Sequence, residues 1–284
     1  MVARSDGDKY PRRRGIGVEL GRLRRDAGRT EGDAAAFLDC PSGRISRIEQ
    51  GLAAIRVGET KALLDFYRVA GDRRDGLIAK VRRARDRCWW LPYGDQIDDS
   101  FETQLILEAD ASALRTYQPN LVPGLLQTER YATELIETQA DLPLTEVRKQ
   151  ASLRVLRQQV LTRGNPPTLS VVLDEAVLRR PVGSRDVMRE QYAVLAESAG
   201  TPGVTVQVLP FRAGPHHVLG LGFHIFDFGP EESATVEVEL LDRVCFVTES
   251  QEVAHYKDAF GRASSQALSV RDSRLLLTEF ASGA

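Results

Sequence analysis

The sequence predicts a multi-domain protein: an N-terminal all-α unit of five short helices, then a C-terminal α+β domain with a mostly antiparallel sheet. Three observations carry that prediction. The chain has 284 residues, enough for two domains of ordinary size. Its hydrophobic periodicity is helical up to about residue 87, whereas alternating, β-branched segments enter only from Leu169 onward. The charge divides along the same line. Residues 1–87 hold 21 Lys and Arg against 13 Asp and Glu, a net of +8, and residues 88–284 hold 17 against 27, a net of −10. A basic unit is drawn to a polyanion and an acidic one is repelled by it, so the two parts suit different partners.

The first fifteen residues, with Arg12-Arg13-Arg14, read as a flexible basic arm. A helix begins at Ile16, with Val18, Leu20 and Leu23 on one side, and stops at Ala27-Gly28. Thr30 is a suitable N-cap for the second helix, and Asp33 three residues on completes a capping box. Ala34, Ala35 and Leu38 form its inner face. After the break at Asp39-Cys40-Pro41, a third helix runs from Ser42 to Gln50 with Ile45 and Ile48 inward, and Gly51 ends it. A fourth spans Gly58 to Tyr67, and a fifth, strongly basic, spans Asp72 to Arg87. Beyond Trp89-Trp90, helices are expected over 101–114, 128–139 and 145–162. Strands follow at 169–173, 204–209, 223–228, 235–239 and 243–248. Further helices fall at 188–199, 251–268 and 269–280. Short turns between the last three strands favour antiparallel hairpins.

Composition excludes several classes. With 42% hydrophobic and 27% charged residues, the chain is neither disordered nor a coiled-coil rod. No run approaches the roughly 18 apolar residues of a membrane span. The opening MVARSDGDKYPRRRG has positive charge without an apolar core behind it, unlike a secretory signal. Cys40, Cys88 and Cys245 are odd in number and far apart, so no disulfide framework is expected and a reduced, cytoplasmic setting fits. No enzyme constellation emerges either. His216, His217, His224 and His255 form no helical metal pair, and Gly220-Leu-Gly222 alone is a loop hinge. Glu102, Glu108 and Asp110 read as a solvated acidic helix face. No catalysis, metal or cofactor is expected.

The stretch from Thr30 to Gly51, with Ala35, Leu38 and Ile45-Ser-Arg-Ile-Glu-Gln-Gly51, resembles the helix-turn-helix of the XRE/Cro family, a lambda-repressor-like fold. Ala35 is small so that two helices can cross, and Asp39 stands where the family has a turn glycine. In such folds the second helix of the pair lies in the major groove. The resemblance therefore implies double-stranded DNA as partner, read by Ser42, Gly43, Ser46 and Arg47. Arg47 is the candidate base reader, because a guanidinium binds guanine O6 and N7 together. Arg44, Arg56, Arg22, Arg25 and the arm residues Arg12, Arg13 and Arg14 suit phosphates or the minor groove, and Thr30 opens the motif.

The likeness runs on through Trp89-Trp90, Tyr117-x-Pro119, Val122-Pro-Gly-Leu-Leu-Gln-Thr128, Tyr131-Ala132, Val208-Leu-Pro210 and Phe223 to Phe228. In these the chain is similar to actinobacterial XRE-type regulators with a C-terminal domain of unknown function, called Scr1-like or WhiJ-like and sometimes antitoxin-like. That resemblance implies a DNA-binding regulator, and a small acidic companion protein as a further partner. A near-palindromic operator and a homodimer are expected, with recognition helices about 34–36 Å apart. The domains read as 1–15 arm, 16–70 helix-turn-helix, 71–100 basic helix and linker, and 101–284 effector or interaction domain. There a small molecule would meet apolar walls from Tyr117, Phe223 and Phe226, or else a protein would dock. The alternative for the whole chain is a protein–protein module that keeps the helix-turn-helix as a docking surface.

Overall fold

The computed structural model describes residues 11–51, 53–85, 90, 93, 97–139, 142–229, 233–241 and 243–283. They fold as two compact units, the first ending at Asp110 and the second beginning at Ala111.

The first unit is all helical: α1 (Pro11–Asp26), α2 (Glu31–Leu38), α3 (Ser42–Glu49), α4 (Val57–Phe66), α5 (Gly71–Arg85) and α6 (Asp99–Asp110). Helix α1 starts at Pro11 rather than Ile16. Proline suits a first helical position because it has no N–H to leave unbonded and its φ is already helical. The backbone of Arg12 to Arg14 is therefore helical, not part of a flexible arm, and residues 1–10 lie outside the described set. Ile16, Leu20 and Leu23 of α1 share one core with Ile45 and Ile48 of α3 and with Leu63 and Leu64 of α4. Val18, expected inward, is 49% exposed. At 3.6 residues per turn it lies roughly opposite the 16–20–23 stripe.

Two glycines set how closely α1 and α3 cross. A Cβ on Gly17 would come within 2.6 Å of the Glu49 carbonyl oxygen, and one on Gly21 within 2.6 Å of a Glu49 carboxylate oxygen. Helix α6 joins this unit through Leu105, Ile106 and Ala109, which pack with Ala54 and Trp90. Residues 88–110 contain six acidic and no basic residues, so the unit to Asp110 nets only +2. The basic character of residues 1–87 is largely neutralised within the same folded body.

The second unit is α+β with one six-stranded sheet of order β3-β2-β1-β4-β5-β6. The strands are β1 (Ala113–Gln118), β2 (Thr168–Asp174), β3 (Val204–Leu209), β4 (Phe223–Asp227), β5 (Thr235–Glu239) and β6 (Val244–Val247). The last three form the expected antiparallel meander on β1. The sheet is mixed, however, because β1, β2 and β3 run parallel. Their connections contain α7 (Glu129–Gln139) and α8 (Leu144–Leu156), then α9 (Glu175–Arg179) and α10 (Arg185–Ser198). Such long helical crossovers join parallel strands, as hairpins cannot. Helices α11 (Ser250–Gln266) and α12 (Val270–Ser282) complete the domain.

Strand β1 is the described strand that sequence periodicity did not find. It lies between β2 and β4 with Leu114, Thr116 and Tyr117 all buried. A strand covered on both faces loses its alternation, and the charge of Arg115 masks it further. That charge is met by Asp227 of β4 at 3.4 Å.

Pairing sorts the side chains of β1, β4 and β5 onto two faces. Tyr117, Phe223, Ile225 and Val236 share an apolar face with Val253 and Phe260 of α11. Thr116, His224 and Glu237 align across the opposite face. On it Gln118 Nε2 and His224 Nε2 lie 3.1 Å apart. Burial first, and then the Arg157 guanidinium, push His224 down to about 4.

Three outcomes are expected. Gly17→Ala should force α1 off α3 and cost about 1–3 kcal/mol, whereas Gly43→Ala, with nothing within 4 Å of its Cβ, should stabilise α3 by up to about 1 kcal/mol. Hydrogen exchange of the α1 and α3 amides separates the two. For His224, the unfolded chain binds a proton that the native state refuses, between the ordinary value of 6.5 and about 4. Stability should fall as pH drops through that window, by up to about 3 kcal/mol, and level off below it. Urea unfolding at stepped pH checks this, and His224→Gln should flatten that part of the profile relative to the parent.

Candidate nucleic-acid interface

The turn between α2 and α3 is built locally. The Asp33 amide donates to Thr30 Oγ1 at 3.0 Å and the Thr30 amide donates to Asp33 Oδ2 at 2.8 Å. This closes the capping box that the spacing predicted. The Thr30 amide first, and then the Thr30 side chain, hold the Asp33 carboxyl below its ordinary range. Asp39 takes the left-handed conformation with φ 52°, as its short polar side chain permits. Its amide and that of Cys40 donate back to carbonyls of α2. Pro41 then precedes α3, and Gly51 with φ 76° lies just past its end.

Arg24, which sequence reasoning passed over, fixes α3 against α1. The residue is 7% exposed, and its guanidinium donates through Nε and Nη2 to the two Glu49 carboxylate oxygens, at 2.6 and 2.9 Å. Its Nη1 donates to the Arg29 carbonyl at 2.8 Å. The Glu49 hydrogen bond, followed by its charge, raises Arg24 above its ordinary value against the opposing effect of burial. Glu49 is thus half of a forked, charge-assisted clamp.

The outer side of α3 presents the expected residues, but its arginines have carboxylate partners. Ser42 opens the helix, and Gly43 is exposed. Ser46 Oγ accepts from Gln50 Nε2 at 3.1 Å. Arg47, expected as an open base reader, instead donates to Glu102 Oε2 of α6 at 3.3 Å, with the two side chains only 21% and 15% exposed. The other Glu102 oxygen accepts the Ala54 amide at 3.2 Å, which anchors the carboxylate. Arg44 donates to both Glu59 oxygens, at 3.0 and 3.2 Å, and Glu59 also accepts the Arg56 amide at 2.7 Å. Both arginines of α3 are therefore paired with carboxylates.

Glu102 and Glu108 correct an expectation. They do not form a solvated acidic face: Glu102 is on α3's arginine and Glu108 is 4% exposed. The outlying cations behave more simply. Arg25 and Arg56 are exposed, and Arg22 sits 3.8 Å from Asp26 with both side chains largely in solvent. Screening leaves such pairs nearly without energetic weight. The side chains of Arg12, Arg13, Arg14 and Ser42 lie outside the described set.

In the second unit, Tyr117, Phe223 and Phe226 are each at most 1% exposed. Tyr117 and Phe223 share the face under α11, and Phe226 stands on the other face beside His224. The three are core, divided between two sides of one sheet. Tyr117 instead brings its hydroxyl to Asp174 Oδ2 at 3.3 Å, with His216 Nε2 3.5 Å from the same hydroxyl. Among the described residues, no group of three or more His, Cys, Asp or Glu is arranged to hold a metal ion. Among them too, no helix is long and apolar enough to cross a membrane.

A family model described as a helix-turn-helix domain matches residues 16–77, from within α1 to the first half of α5. A second, described as a domain of unknown function (DUF5753), matches residues 101–279, from the Phe101–Glu102 end of α6 into α12. No curated protein matches the chain, and no solved structure does. The first match supports a DNA-binding role for the helical unit. The second covers well over half of the sequence, so the chain belongs to the DUF5753 family, with a helix-turn-helix domain ahead of the family's own domain.

Proposed function

We propose that the protein is a sequence-specific transcriptional regulator whose recognition helix is α3 and whose C-terminal domain governs it by sensing a ligand or a partner. The observation that carries this reading is the pairing of Arg47 with Glu102. Arg47 occupies the α3 position that the XRE/Cro resemblance assigns to base reading, and Glu102 belongs to the segment matched by the DUF5753 family. A carboxylate on that guanidinium takes the place of guanine O6 and N7. Binding an operator then requires Arg47 to exchange Glu102 for a base, and whatever moves α6 tunes that exchange.

Within this reading Gly43 gives the backbone close access to the groove floor, with Ser42 and Ser46 as short polar contacts. Arg25, Arg56 and Arg22 neutralise phosphates, helped by Arg12 to Arg14, and Thr30 keeps the turn in register. Arg44 serves the α3–α4 joint through Glu59 and reaches a phosphate only at that cost. The kinship with Scr1-like and WhiJ-like actinobacterial regulators, the homodimer, the near-palindromic operator and the small acidic companion all belong to this proposal. A regulator of this kind works in the cytoplasm.

The test is binding of the purified full chain to fragments upstream of its own gene, at two salt concentrations, with scrambled competitor. Glu102→Gln keeps an acceptor for the Ala54 amide but removes the charge, and it should tighten binding several-fold. Arg47→Ala should cost about 1–3 kcal/mol and relax preference at one base pair. Neutralising Arg25 and Arg56 should weaken all sequences alike and reduce the salt slope by about one unit for each phosphate left without its cation. Folded Glu102→Gln protein that fails to bind at either salt would turn the reading toward a docking module.

A further inference from the structure

The two edges of the six-stranded sheet are treated differently. The outer edge of β3 is closed by the chain itself: the Val208 amide donates to Ser273 Oγ at 2.9 Å, and the Val208 carbonyl accepts the Leu268 amide at 2.9 Å. Gln207 Nε2 adds bonds to the Ser264 and Leu268 carbonyls, at 3.2 and 2.9 Å. At the other end of the sheet stands β6, paired with β5 alone. An open edge is a row of unpaired N–H and C=O groups, and proteins usually blunt it with charge, proline or a covering element.

The direction of each backbone group on β6 follows from the hairpin. The Leu240 amide donates to the Arg243 carbonyl at 2.8 Å, so this pair is a hydrogen-bonded one. Bonded and non-bonded pairs alternate along an antiparallel ladder. Glu239 lies opposite Val244, Val238 opposite Cys245, Glu237 opposite Phe246 and Val236 opposite Val247. Cys245 and Val247 therefore turn their N–H and C=O toward β5. Val244 and Phe246 turn theirs outward, and Thr248 is next in that row. Among the described residues, no hydrogen bond reaches the outward groups of Val244 and Phe246.

The side chains do not blunt this edge. Val244, Cys245, Phe246 and Val247 include neither charge nor proline, and each is half-buried. The hairpin tip beside them carries the exposed Leu240 and Leu241. Arg243 precedes the strand and Glu249 follows it, both exposed. Antiparallel pairing with a second β6 sets these unlike charges side by side, whereas parallel pairing sets like against like. The outward groups also fix the register. Only Val244, Phe246 and Thr248 can bond across, and the register that uses all three places Phe246 opposite Phe246 of the second copy. Val244 then faces Thr248 of that copy, and Arg243 faces its Glu249. Cys245 meets Val247 in a non-bonded pair, where Cα atoms approach to about 4.5 Å.

We infer that β6 is the edge through which two copies of this chain associate, their sheets joining antiparallel about a twofold axis at Phe246. The inference rests on the homodimer of the proposed regulator, and gives that dimer its interface. Main-chain bonds supply the attraction, as in other strand additions, and the side chains of Val244 to Val247 supply the match. Each copy offers the same surface, so the pairing closes at two, the symmetry that a near-palindromic operator needs. Because the edge of β3 is already covered, the joined sheet keeps no open edge.

Sedimentation of the full chain without DNA, over a dilution series, measures association in the parent and in Phe246→Lys. The substitution leaves the backbone pairing with β5 in place but sets two like charges opposite each other across the axis. The dissociation constant should rise at least about ten-fold. Val247→Cys supplies a thiol opposite Cys245 of the second copy. Mild oxidation should then give a covalent dimer on a non-reducing gel, and adding Cys245→Ser should abolish it. That cross-link tests the edge even if Phe246→Lys does not fold. A dimeric parent whose folded Phe246→Lys form dissociates no more readily, or whose Val247→Cys form does not cross-link through Cys245, overturns the inference and leaves the homodimer reading standing. A parent that stays monomeric throughout overturns both, and turns the edge toward a strand of another protein.

Discussion

The clamp between Arg24 and Glu49 is the contact on which the geometry of the first unit depends. A guanidinium that is 7% exposed must be paired, and its fork meets both oxygens of one carboxylate. That pairing fixes the roll of α3 about its own axis, because Glu49 and the apolar residues Ile45 and Ile48 must all face inward. Once the inner face is set, the outer face follows from helical periodicity, and Gly43, Ser46 and Arg47 have no other place to be. The close approach at Gly17 and Gly21 is the steric counterpart of the same clamp. Without it the two partners would be too far apart for a short forked contact.

Charge is used in two different ways across the molecule. In the first unit, cations that suit a polyanion are held on carboxylates: Arg44 on Glu59, Arg47 on Glu102. Such half-buried pairs can be exchanged for another anion, since each partner keeps some access to water. In the second unit, Arg154 rests on a neutral amide oxygen, that of Gln127, and Arg157 packs over Gly124. The first arrangement suits a contact to be competed away.

The sequence carried a good part of this. The capping box at Thr30 and Asp33, the left-handed tolerance of Asp39 and the stop at Gly51 are written in neighbouring residues, and each stands in the structure as expected. Strands over 204–209 and 235–239 were legible because they alternate. The apolar trio Tyr117, Phe223 and Phe226 was visible as well, but not its division between two faces of the sheet. That division depends on pairing register, to which a single strand's pattern is blind. Strand β1 escaped because it is buried on both sides and contains an arginine whose partner lies on β4.

Local chemistry alone therefore determined the helix-turn-helix, its caps and the two-part character of the chain. Caps, turns and periodicity act over a few residues, and a sequence states them directly. Tertiary structure alone decided which charges meet. Arg24 finds Glu49 and Arg47 finds Glu102 across separations of 25 and 55 positions. Charge totals taken along the chain divide it into a basic and an acidic part, whereas packing puts acidic α6 on the basic unit. Electrostatic energy depends on distance in space, and apolar surfaces such as Leu105 against Ala54 decide what that distance is.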